Sequence, residues 1–93
     1  MRKRRLLPSV SDFIAESGMP LPGLALLEVC NNRRILIENH QGIVGYTNDE
    51  IIVKVRSGNI RVCGEKLQLN RMSRYQLVIT GMIEAVHFRE MLE

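Results

Sequence analysis

The sequence predicts an all-β domain, a small antiparallel β-sandwich or roll of six to seven short strands preceded by a short N-terminal helix or arm. Three observations carry that expectation. From residue 24 onward apolar residues recur with period two, the spacing that puts alternate side chains on one face of a strand. The same 70 residues hold 17 β-branched residues and no proline, and branched side chains favour a pleated surface over a helix. Turn-forming residues fall every seven to ten positions, the rhythm of short strands joined by tight connections. At 93 residues the chain is one domain with a modest core.

Residues 1–23 form a segment of different character, containing all three prolines, Pro8, Pro20 and Pro22. It begins with the basic run Arg2, Lys3, Arg4 and Arg5. A short helix is expected next: Ser9 or Ser11 can cap it, Val10, Phe13 and Ile14 share a face, and Gly18 can end it. Met19 to Gly23 is an extended connector.

Residues 24–93 are read as the single β domain. Arg34–Glu38 is a strand with Ile35 and Ile37 on one face, and Asn39 to Gly42 is a turn. Ile43–Tyr46 is a short strand, followed by a turn over residues 47–50. Ile51, Val53 and Val55 then point one way, and Ser57-Gly58-Asn59 marks a hairpin. Ile60 and Val62 continue the inward set. Gly64-Glu65-Lys66 is expected to turn, Leu67 and Leu69 to point inward, and Asn70 to Arg74 to form a polar loop. Leu77, Ile79 and Ile83 alternate, after which the inward parity switches to Val86 and Phe88. That switch requires a bulge near Glu84-Ala85, since a one-residue slip otherwise turns a strand inside out. Arg89 to Glu93 is a polar end with helical character. Ile60-x-Val62-x-Gly64 and Leu77-x-Ile79-x-Gly81 lie 17 residues apart, an echo that makes a short β-solenoid the alternative architecture.

The net charge of +3 is unevenly placed. The tail residues Arg2 to Arg5 contribute four positive charges, and residues 6–93 sum to −1, with nine Lys and Arg against ten Asp and Glu. A nucleic-acid-binding domain is expected to carry its basic residues on the folded face, so the basic pI argues only weakly for nucleic acid. The four aromatic residues, Phe13, Tyr46, Tyr75 and Phe88, make no stacking platform. No apolar run reaches the length of a membrane span, and Pro8, Ser9, Ser11 and Asp12 interrupt any signal-peptide core. With only Cys30 and Cys63, far apart, the expectation is a cytoplasmic chain without a disulfide or a CxxC metal site.

At residues 37–42 the sequence reads Ile-Glu-Asn-His-Gln-Gly. Together with Ile35, Ile43, Tyr46, Glu50-Ile51, Gly58-x-Ile60-x-Val62-x-Gly64-x-x-Leu67 and Leu77-x-Ile79-x-Gly81-x-Ile83, it resembles the YabP/YqfC family of sporulation proteins, and is closer to the YqfC branch. The similarity covers residues 20–88 or so and does not extend to residues 1–19. The resemblance implies a small non-enzymatic protein of endospore-forming bacteria without a cofactor. It also implies a protein partner, such as a sporulation membrane protein, with contact at the periphery of a forespore or mother-cell membrane. Self-association is expected as well, because a small sheet with uncovered edges invites pairing.

The residues themselves leave a choice of roles. Glu38, Asn39, His40 and Gly42 are the candidate interaction site, and their plainest reading is a strand end entering a turn. Glu38 and His40 can share a face while Asn39 points the other way. Catalysis finds little support, because no nucleophile or second acid stands at a telling spacing. The glycines Gly58, Gly64 and Gly81 are expected to be structural and to sit at turns. Two alternatives from other functional classes remain: anionic-membrane or nucleic-acid binding through Arg2, Lys3, Arg4 and Arg5, and a small metal protein or enzyme using Glu38, His40 and Cys63.

Overall fold

The computed structural model describes residues 23–90. Six antiparallel strands follow one another: β1 (Leu26–Cys30), β2 (Arg34–Glu38), β3 (Ile43–Tyr46), β4 (Glu50–Val55), β5 (Gly58–Met72) and β6 (Gln76–Glu90). They form one unclosed sheet in the order β1-β2-β6-β5-β4-β3. The expected N-terminal helix between the Ser9 or Ser11 cap and Gly18, and the final residues 91–93, lie outside the described residues.

Strands β5 and β6 organise the molecule. Each is 15 residues long, and together they make one hairpin that serves two layers. The first part of β5 pairs with β4, from Val55 opposite Gly58 to Glu50 opposite Cys63. The first part of β6 pairs with β2, from Glu38 opposite Gln76 to Arg34 opposite Thr80. The hairpin β3–β4 therefore extends one half of the long hairpin, and β1–β2 extends the other. Ile35, Ile37 and Ile79 from one half, and Ile51, Val53 and Val62 from the other, are all fully buried in a single cluster. A lone sheet cannot bury a face, so the two halves must cover one another. This is the expected roll, with both layers cut from one continuous sheet.

The long hairpin has to bend to do this, and glycine permits the bend. The register slips between Cys63 and Gly64 and again between Glu65 and Gln68. A Cβ on Gly64 would lie 2.0 Å from the carbonyl oxygen of Met82, and one on Gly81 would lie 2.6 Å from that of Lys66. Only a residue without a side chain fits such an approach. Each bend is buttressed by the turn of the neighbouring hairpin. Gly64 and Leu67 donate their backbone N–H groups to Asp49 and Asn48, while Gly81 and Ile83 donate theirs to Arg33 and Asn32.

These pairings expose an approximate twofold relation that exchanges β5 with β6, β4 with β2 and β3 with β1. The 17-residue echo is its trace in the sequence, since Gly64 and Gly81 occupy equivalent bends. The solenoid alternative fails, because every pairing is antiparallel.

Several local expectations are corrected. Residues 64–66 bulge within β5 instead of turning, so Gly64 and Gly81 are bend glycines inside strands. Gly58 opens β5, just after the Arg56-Ser57 turn. Residues 70–72 belong to β5, and Arg89 and Glu90 to β6, where a loop and a helical end were expected. Two of the six strands are long, not short. The bulge near Glu84 is present: Cys63 faces Ala85 while Gly64 faces Ile83, leaving Glu84 unopposed.

Candidate functional site

The Glu38–Gly42 run lies where the chain leaves β2 in one layer and enters β3 in the other. Every member of the motif is engaged there. Asn39 has φ +65°, a left-handed conformation that Asn tolerates better than most residues. Its backbone N–H donates to the Tyr75 carbonyl at 2.6 Å, and its side-chain amide donates to the Leu24 carbonyl at 2.9 Å. The motif thereby fastens the start of the β domain to the turn before β6. The Glu38 carboxylate accepts from the Gln76 amide at 2.8 Å, across the β2–β6 pairing.

His40 is the one buried polar side chain among the described residues, 9% exposed. Its Nδ1 accepts from the Gly42 backbone N–H at 3.0 Å, which assigns the proton to Nε2. Nε2 then donates to the Ser73 carbonyl at 2.8 Å. Gly42 (φ +115°) and Gln41 continue the chain onto β4. Gln41 donates its N–H to the Lys54 carbonyl at 2.7 Å, and Lys54 returns a bond to the Gly42 carbonyl at 2.8 Å. The imidazole is thus a bridge between the layer crossing and the 73–76 turn.

This geometry separates Glu38 from His40 chemically. The carboxylate is turned to Gln76, and both ring nitrogens are held by backbone groups. No lone pair of the ring remains for a metal ion or for a substrate proton. Cys63 sits on β5 between Glu50 and Ala85, half-buried, and both cysteines are free thiols. Among the described residues, no three His, Cys, Asp or Glu side chains gather as a metal ligand set. The reading of Glu38, His40 and Cys63 as one site finds no support in this arrangement. Arg2, Lys3, Arg4 and Arg5 lie outside the described residues.

The structure also locates the sheet edges that the sequence led one to expect. The outer sides of β1 and β3 end the sheet. Among the described residues, 84–90 of β6 pair on one side only, because β2 reaches no further than Thr80. Phe88 stands on the core-facing side of that edge, opposite Ile60, yet is 69% exposed. Together with Leu24, Ala25, Leu27, Val55 and Ile60 it forms the apolar part of an open groove of about 240 Å³ that Ser57, Asn59, Arg89 and Glu90 also line. The parity placed Phe88 inward correctly, but parity does not reveal where the opposite layer stops. Among the described residues, no helix is long and apolar enough to cross a membrane.

Comparison with family models matches residues 25–92 to the YabP family, covering the whole β domain and leaving out the basic tail. The match is at the level of that family and does not separate its YqfC branch. No curated protein and no solved structure shows a significant match.

Proposed function

The chain belongs to the YabP family, and on that premise we propose that it is a non-catalytic protein of endospore formation that works by association with another protein or with copies of itself. Family membership suggests the sporulation setting. The observation that carries the mode of action is the contrast between the motif and the edges. The side chains of Glu38, Asn39 and His40 are all spent on holding the fold, whereas β1, β3 and the last part of β6 have strand edges with no partner among the described residues. An exposed edge recruits a strand through main-chain hydrogen bonds, and apolar side chains beside it add affinity. Val29, Val44 and Phe88, each more than half exposed, lie on those three edge strands.

The partner in this reading is a sporulation protein, such as a membrane-anchored one, met at the periphery of a forespore or mother-cell membrane. The test is deletion of the gene in its spore-forming host, followed by complementation with the full chain and with Phe88→Glu. A fall in heat-resistant spores that the full chain restores and the variant does not supports association at this edge. Normal spore numbers in the deletion strain, with no complex recovered, contradict it.

A further inference from the structure

The folded body carries a basic face that the bulk charge hides. Residues 23–90 hold nine Lys and Arg against seven Asp and Glu, because Asp12, Glu16 and Glu93 lie outside them. The strand register gathers cations on the outer surface of the layer built from β4, β5 and the last part of β6. One cross-strand row there is Lys54–Asn59–Arg89, and the next is Ile52–Arg61–His87. On β6 in the other layer the positions of that parity are Gln76, Val78 and Thr80, and their cross-strand neighbours include Arg34, Glu38 and Arg71.

Ile52, Asn59, Arg61, His87, Phe88 and Arg89 line a shallow concavity of about 420 Å³. Arg61 is held by Glu50 at 2.9 Å, an exposed ion pair at the rim. The side chains of Lys54, His87 and Arg89 have no hydrogen-bond or ion-pair partner among the described residues. Arg61 and Arg89 are diagonal neighbours across β5 and β6, roughly 7–8 Å apart for such positions with their Cβ atoms somewhat closer. Two guanidinium groups at that spacing can converge on one tetrahedral oxyanion, Arg89 with paired N–H donors and Arg61 with those that Glu50 leaves free. The Asn59 amide and the His87 ring, in neighbouring positions, supply further donors. The cluster spans only two rows, which suits a single phosphate group better than the extended track of a nucleic-acid backbone.

We propose that this concavity binds a phosphate monoester group, carried either by a lipid headgroup or by a small free molecule, with Arg61 and Arg89 as its principal contacts. The site adjoins the apolar groove, with which it shares Asn59, Phe88 and Arg89.

The test uses the full chain and follows backbone amide shifts and affinity against three probes. These are inorganic phosphate, phosphatidylcholine vesicles with and without phosphatidic acid, and a short DNA duplex. The variants are Arg61→Gln, Arg89→Gln, their double, a tail variant with residues 2–5 changed to Gln, and Arg74→Gln as a control away from the face. Shifts centred on Asn59, Arg61, His87 and Arg89 are expected. Each single variant should weaken binding about fivefold and the double by more than tenfold, with the control variant within about twofold of the parent on both ligands and the tail variant within about twofold on inorganic phosphate. Binding to vesicles alone identifies a lipid headgroup, and binding to inorganic phosphate as well identifies a free phosphate site. The proposal is overturned if neither binds, if the tail variant alone abolishes binding, if the double variant binds like the parent, or if the duplex is the tighter ligand at this face. Unchanged melting temperatures for the variants exclude misfolding as the cause.

Discussion

Replacing His40 by alanine removes both bonds of the bridge in one step. The ring donates to Ser73 and accepts from Gly42 in a position only 9% exposed, so two backbone groups lose their partner. Each such loss costs about 1–2 kcal/mol when water can partly replace the missing group, so His40→Ala should destabilise the domain by about 2–4 kcal/mol. For a domain of this size that lowers the melting temperature by about 10–25 °C. Thermal and urea unfolding followed by circular dichroism read both quantities. Two further variants divide the effect. His40→Gln places an amide N–H near the position of Nε2 and should regain mainly the Ser73 bond. His40→Asn places an oxygen near Nδ1 and should regain mainly the Gly42 bond. Each should recover about half of the loss. The reasoning is refuted if His40→Ala unfolds within about 0.5 kcal/mol of the parent, or if neither replacement improves on alanine.

Two other perturbations test the fold and its edge. Gly64→Ala forces a Cβ to within 2.0 Å of the Met82 carbonyl oxygen and should cost about 3 kcal/mol or more, while Gly45→Ala meets only the Ile52 side chain at 3.4 Å and should stay within about 1 kcal/mol. Comparing their urea midpoints checks the bend directly. Phe88→Glu should leave the melting temperature within a few degrees of the parent, because the ring is 69% exposed, and should abolish complex formation measured by sedimentation if the β6 edge is an association surface.

Period-two reading identified the core well. Ile35, Ile37, Ile51, Val53, Val55, Ile60, Val62, Leu67, Leu77, Ile79 and Ile83 are all buried, and the parity switch located the Glu84 bulge. Connectivity was harder, because a turn and a bulge ask for the same residues. Gly64, together with Lys66 at φ +54°, looks like a hairpin turn in sequence, but the chain continues as a bent strand. Asn70, Arg71 and Met72 lack any apolar alternation because that end of β5 is exposed, so nothing marked it as strand. Val78 is buried although it lies on the parity opposite Leu77 and Ile79, a position alternation alone cannot predict.

At the motif, the turn was legible from Asn39 and Gly42, but its partners were not. Leu24, Ser73, Tyr75 and Gln76 lie 15 or more residues from the groups they bind, and no local pattern encodes such distances. The basic face was hidden for a related reason. Lys54, Arg61 and Arg89 are scattered along the chain, and only the register of β4, β5 and β6 brings them together.

The most direct test of the central claim is the heat-resistant spore yield of a deletion strain complemented with Glu38→Gln. The substitution keeps an oxygen to accept from Gln76, preserving the clasp, and removes the ionisable group that acid–base chemistry at this position would require. A motif that serves the fold predicts the parental yield. A stable, normally accumulated Glu38→Gln protein that fails to restore spores would contradict it.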